Sequence, residues 1–148
     1  MSLAFFNNKG ERMKKVLGLD IGEKRIGIAV SDALGWTAQG VETYIRKGES
    51  DAAYIGAKAK EFGATLIVAG LPLNMNGSEG PSAQNVRAFM AEVAALGFDV
   101  HFQDERLTTV SAERTLIEAD VSRKKRREVV DKLAAVYILG AYLDMHKA

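Results

Sequence analysis

The chain has 148 residues, 47% hydrophobic and 26% charged, with net charge +1, enough for one ordinary domain burying about two-thirds of its unfolded surface. That balance excludes a protein coated in positive charge, though not a local basic patch. The absence of cysteine excludes disulfides and thiolate metal sites and fits a reducing compartment.

No stretch approaches the roughly 18–20 apolar residues of a membrane span. The opening "MSLAFFNNKGER" lacks the apolar core and cleavage site of a secretory signal, so a cytoplasmic protein is expected. Residues 1–3 read as a cloning remnant and residues 1–13 as an N-terminal extension with no function attached. A single domain is expected over 14–148.

"KKVLGLDIG" has the apolar run of a central strand ending in a turn at Asp20-Ile21-Gly22, and "RIGIAVSD" follows closely enough to make an antiparallel hairpin. Gly22 and Gly27 suit a tight turn and close backbone approach. "WTAQGVETYIRK" reads as a third strand, bulged at Gly40. Residues 50–62 change to helical period, with Ala53, Ile55, Ala59 and Phe62 near one face and Ser50 as N-cap. "ATLIVAG" is the short apolar run of a buried parallel strand. The loop "LPLNMNGSEGPS" leads to a helix capped by Ser82 and stopped at Gly97, and "FDVHFQDE" is the fifth strand. A short helix over 108–119, a basic connector "DVSRKKRR" and a final helix from Glu128 to Lys147 complete the chain. The fold class is α/β, a mixed five-stranded sheet with three antiparallel strands, then two parallel ones, and helices on both faces.

Sites in such sheets gather at the carboxyl edges of the strands. Asp20 ends strand one, Asp104 and Glu105 end strand five, and Asp131 lies near the start of the strongly apolar "VVDKLAAVYILGAYL". Buried carboxylates need a partner, a cation or solvent. Asp20, Glu105 and Asp131 converging on one rim would repel one another unless compensated. Mg²⁺ or Mn²⁺, hard ions taking oxygen ligands, are the fitting compensators, and paired ions would orient a phosphodiester for in-line attack. Alternation aims Asp104 away from Glu105's side, leaving it a reserve ligand. Each acid also has a plain reading: a turn former at Asp20, a loop start at 104–105, a favoured first-turn position at Asp131.

Together "GLDIGEKRIGIAVSD", "GLPLNMNGSEGPSA", "DERLTT" and "SRKKRREVVDKLAAVYILGAYLD" resemble the YqgF (RuvX) family across roughly residues 14–145. That family consists of bacterial proteins with a ribonuclease H-like fold, associated with Holliday-junction resolution and with maturing the 5′ end of pre-16S rRNA. The resemblance implies metal-binding, catalytic roles for Asp20, Glu105 and Asp131, and places Arg25 near them. It leaves open whether the substrate is RNA or branched DNA, whether one or two ions bind, and whether the chain is a monomer or homodimer.

The run Arg123, Lys124, Lys125, Arg126 and Arg127 could neutralise a nucleic-acid backbone without reading sequence, or form a solvated helix start. Asn74 and Asn76 in "NMNGSEG" offer phosphate contacts near a helix start, or simply a long loop. Thr108 and Thr109 suit a cap or a phosphate contact. His101 reads as structural, Trp36 and Tyr44 as packing residues with stacking on bases as the alternative, and Met75 and Met90 as fillers. Two other functions fit parts of the chain: a non-catalytic RNA-binding assembly factor, and an actin-like or sugar-kinase-like nucleotide binder, since "GLDIG" before a hairpin also resembles their phosphate turn. The second needs another Asp-x-Gly turn, and no good copy is present.

Overall fold

The computed structural model describes residues 15–107 and 123–146. Three strands come first: β1 (Lys15–Ile21), β2 (Arg25–Ser31) and β3 (Ala38–Ile45). Helix α1 (Asp51–Phe62), β4 (Ala64–Leu71), α2 (Pro81–Ala94) and β5 (Asp99–Asp104) follow. A 3-10 turn over Glu105–Leu107 and the long helix α3 (Arg123–Met145) complete the described chain. The strands form one five-stranded sheet ordered β3-β2-β1-β4-β5. β2 is antiparallel to β1 and β3, while β4 runs parallel to β1 and β5 parallel to β4, as hairpins followed by helical crossovers require.

Period-two alternation sorts side chains between the two faces of the sheet. Leu17, Leu19, Ile26, Ile28 and Ile67 join Ile55, Ala59, Val86 and Met90 in the main core, on the side of α1 and α2. On the other face Ala29 and Val68 meet Ala135, Leu139, Tyr142 and Leu143 of α3. The mixed sheet with helices on both faces is therefore as expected. Among the described residues no helix is long and apolar enough to cross a membrane.

Local details shift. The bulge falls at Val41 beside Gly40, because the partner of β2 jumps from Glu42 opposite Ile28 to Gly40 opposite Ala29. Helix α1 buries Ala52 rather than Ala53, together with Ile55 and Ala59, a spacing closer to one helical stripe. Gly80 caps α2 and Pro81 takes its first position, not Ser82, since proline's fixed φ and missing N–H suit that place. Helix α3 begins at Arg123 rather than Glu128, so the basic run opens the helix instead of preceding it. Met90 is a buried filler, but Met75 is 89% exposed. The extension over 1–13, the helix expected over 108–119, Thr108 and Thr109 lie outside the described residues.

Ser50 occupies the N-cap of α1 without a capping side-chain bond. Its neighbour Asp51, 1% exposed, ties the preceding turn together instead. Its carboxylate accepts hydrogen bonds from Lys47 N–H (2.8 Å), Tyr44 Oη (2.9 Å), Arg46 Nε (3.0 Å) and Gly48 N–H (3.2 Å). Burial alone would raise its pKa. The backbone donor at Lys47, the Arg46 guanidinium and the Tyr44 hydroxyl outweigh that and hold it below the ordinary 3.8. A depressed native pKa stabilises the fold above the unfolded value, and that contribution is lost as pH falls through the native one. Asp51→Asn should therefore cost about 2–3 kcal/mol at neutral pH. The deficit, read from urea midpoints, should shrink below pH 3.8. A deficit unchanged at strongly acid pH would contradict the assignment.

Candidate functional site

Alternation along β1 sends Leu17 and Leu19 into the main core and turns Gly18 and Asp20 toward α3. Asp20 pairs with Gly27 of β2. On its other side, one step past the Leu19–Ala69 pair, stands Gly70 of β4. The carboxylate-bearing residue is thus flanked across both neighbouring strands by glycines, and each glycine makes room for another acid.

At Gly27 the visitor is helix backbone: a Cβ built there would lie 1.8 Å from the Asp131 carbonyl oxygen. The start of α3 rides directly on β2 at this point. At Gly70 the visitor is a side chain: a Cβ would lie 2.6 Å from Glu105 Oε1 and 2.5 Å from Ile138 Cδ1. Glu105 follows β5, two strands from β1, a lateral gap of about 9–10 Å. Leaning over Gly70 carries its carboxylate across one of those intervals. Asp20, Glu105 and Asp131 therefore gather on the α3 side of one rim.

Asp131 answers its exposure to apolar neighbours with an ion pair. Arg25 Nε donates to Asp131 Oδ2 at 2.8 Å, with the side chains 28% and 19% exposed. The residue expected near nucleic acid is in the first place the partner of an expected metal ligand. Among the described residues no three His, Asp or Glu side chains are close enough, as they stand, to hold one ion together. The donor set nevertheless fits a hard divalent cation by chemistry, being oxygen only and anionic.

Asp104 faces away from this group, as alternation predicts, and pairs with Arg106 through Nη2 at 2.8 Å. The Arg106 guanidinium and the Arg106 N–H hold the Asp104 carboxyl below the ordinary 3.8. Arg106 Nη1 also donates to the Met75 carbonyl at 3.1 Å. This latch, which no sequence motif announced, joins the turn bearing Glu105 to the loop bearing Asn74 and Asn76. Its one signal is the "DER" triplet, where an i, i+2 pair can close on itself. Within the loop Asn74 Nδ2 donates to Ser78 Oγ, and Ser78 donates from N–H and Oγ to Asn76 Oδ1. Both amides thus shape the loop.

Arg123, Lys124, Lys125, Arg126 and Arg127 occupy the first turns of α3. Arg127 precedes Asp131 by one turn, about 6 Å along the axis. His101 Nδ1 lies 2.6 Å from Tyr142 Oη, tying β5 to α3, a structural role. Tyr44 stacks on Tyr54, whereas Trp36 is 66% exposed. A cavity of about 580 Å³, lined by Gly22, Arg46, Ser82, Asn85 and Phe89, opens on the opposite face and includes none of the three acids.

The two glycines should respond differently to a methyl group. Gly27→Ala meets backbone and should cost about 2–4 kcal/mol. Gly70→Ala meets two side-chain ends, one of them on buried Ile138, and should cost about 1–3 kcal/mol, less than Gly27→Ala. Urea denaturation of both variants checks this, and equal losses would contradict the seating of α3 on Gly27.

Comparison with known proteins gives the family and the fold. The family model "RuvX: Holliday junction resolvase" matches residues 14–145. A protein of Moorella thermoacetica named "Putative pre-16S rRNA nuclease" is 53% identical over 132 residues, covering 88% of this chain and 94% of its own. A like-named protein of Halalkalibacterium halodurans is 55% identical over 134 residues, with 88% and 96% covered. Among solved structures, T. thermophilus RuvC in complex with a Holliday junction substrate superposes with a TM-score of 0.54 at 16% identity, covering 91% of this chain and 98% of that one. The fold is therefore the ribonuclease H-like fold of RuvC. By sequence, the chain belongs to the family described as RuvX, Holliday junction resolvase.

Proposed function

We propose that this chain is a divalent-metal-dependent endonuclease that hydrolyses a phosphodiester near the 5′ end of precursor 16S rRNA in the cytoplasm. The observation carrying this reading is the seating of Asp131's backbone on Gly27 and of Glu105's carboxylate on Gly70, on either side of Asp20. Such placement crowds like charges, a repulsion that a bound divalent cation would offset. The names of relatives at 53–55% identity favour the RNA substrate. The family's description favours a four-way DNA junction as the second reading.

Asp20, Glu105 and Asp131 would hold Mg²⁺ or Mn²⁺. Bound there, such an ion supplies the charge neutralisation and Lewis acidity that phosphodiester hydrolysis needs. The protein's own part is positional. Asp20 sits within a paired strand and Asp131 on a helix clamped to the sheet, so both carboxylates start from rigid backbone. Glu105, on a 3-10 turn, is steadied by the Asp104–Arg106 latch. The basic residues 123–127 hold the phosphate backbone beside Asp131, and the 74–80 loop borders the rim beyond Glu105.

Asp20→Asn, Glu105→Gln and Asp131→Asn should each lower Mg²⁺-dependent cleavage of a pre-16S 5′-end substrate by about 10²-fold or more, while RNA retention in gel shifts persists. Gly70→Ala should fold yet cleave poorly, because its methyl group displaces Glu105. Undiminished cleavage by Asp20→Asn and Asp131→Asn together would defeat the reading in favour of a non-catalytic RNA-binding factor. A four-way junction supplied in parallel separates the two substrates.

Neutralising residues 123–127 should flatten the salt dependence of RNA binding. The slope of log K against log salt should fall by roughly 0.7–0.9 for each phosphate that the run ceases to neutralise. An unaltered slope would show that the run is only a solvated helix start.

A further inference from the structure

We propose that Arg25 is a resident counter-cation of the acidic rim. It occupies Asp131 until a divalent cation displaces it, and the released guanidinium then takes a phosphate of the bound nucleic acid. The inference rests on the metal-dependent reading above.

The juxtaposition is dictated by the strand. Arg25 and Gly27 lie two residues apart on β2 and so face the same side of the sheet. Gly27 fixes the Asp131 backbone against that side, which leaves the Asp131 carboxylate within reach of residue 25. The contact itself runs from Arg25 Nε to Asp131 Oδ2 at 2.8 Å. Both side chains keep solvent access, at 28% and 19%, so an ion can approach and the pair is of the weakly held, exchangeable kind.

One carboxylate oxygen cannot serve a guanidinium and a divalent cation in the same direction, since the two cations repel at that distance. An ion that takes Asp131 Oδ2, the oxygen Arg25 holds, therefore displaces Arg25 and leaves it beside the ion. A guanidinium released there, always charged and forked, matches a phosphate's geometry. The Arg25–Asp131 pair thus offsets Asp131's charge when the site is at rest and makes an anion receptor available when an ion is loaded.

Mg²⁺ titration of the full chain carrying ¹⁵N-labelled arginine reads displacement directly, with calorimetry recording uptake in parallel. The Arg25 Nε–H resonance should move in step with saturation. Arg25→Gln should bind Mg²⁺ about three- to tenfold more tightly, because no competitor remains. Arg25→Lys, which keeps the charge but not the Nε contact, should lie between, so a general field effect is told apart from occupancy. With Ca²⁺ replacing Mg²⁺ to slow hydrolysis, Arg25→Gln should bind an RNA hairpin less tightly than wild type, and in chelator the two should match. An Arg25 signal that stays in place while Mg²⁺ binds, or an Arg25→Gln chain with unchanged or weaker uptake, overturns the inference and leaves the metal site standing. No Mg²⁺ uptake by wild type or Arg25→Gln overturns this inference and the metal-dependent reading together.

Discussion

The whole arrangement depends on how closely α3 can lie against the sheet. Side chains on both surfaces normally hold a helix and a sheet about 10 Å apart. Here β1, β2 and β4 present glycine at the contact points. A Cβ at Gly18 would stand 2.6 Å from Leu139 Cβ, and one at Gly27 would lie 1.8 Å from the Asp131 carbonyl oxygen, far inside van der Waals contact. The helix sinks into this glycine floor and buries Ala135, Ile138 and Leu139 completely. Burial of that kind is worth about 25 cal/mol per Å² of apolar surface, and it fixes the helix axis. Asp131 is therefore placed by backbone packing, not by a rotamer choice, and its neighbours on the rim inherit that precision.

This packing explains why so apolar a helix carries a carboxylate. An unpaired charge at the helix–sheet junction would cost several kcal/mol. Asp131 escapes that cost by standing at the edge, where β2 begins, with Arg25 across from it. Adjacent acids at the end of β5 receive opposite assignments by parity alone. Asp104 turns from α3 and closes on Arg106, whereas Glu105, one residue later, leans over Gly70 toward Asp20. One residue of slip would exchange their roles.

Much of this is legible in the sequence because it rests on short-range rules. The hairpin between Ile21 and Arg25, the parallel strand "ATLIVAG" and the parity of Asp104 and Glu105 follow from spacing. Gly27's close approach is readable as well. Gly70 is not: its role is defined by Glu105, 35 positions away, and by a lateral neighbour no local pattern reveals. The glycine beside Asp20 on the adjoining strand looks like a gap until Glu105 is seen to fill it. The start of α3 is hidden because five consecutive cations oppose the helix dipole. Packing of the apolar turns that follow outweighs a penalty of that size. Pro81 displaces Ser82 at the start of α2 for a simpler reason, since a residue at the second helical position has no capping duty.

The far face of the sheet also serves the rim. Arg46 donates from Nε to buried Asp51 and from Nη1 to the Gly22 carbonyl at 2.9 Å. Its own N–H donates to the Lys24 carbonyl. The β1–β2 turn, which begins two residues after Asp20 and ends at Arg25, is thus fastened to the first turn of α1 through one guanidinium. Asp51 is held ionised by those donors despite its burial, so the brace keeps its charge through the neutral range. Loops that carry functional groups ordinarily sample several conformations. This turn is clamped from beneath by Arg46 while α3 closes over its strands from above. Asp20 and the root of Arg25 are thus held from both sides of the sheet, and only the guanidinium end of Arg25 extends past that brace to Asp131.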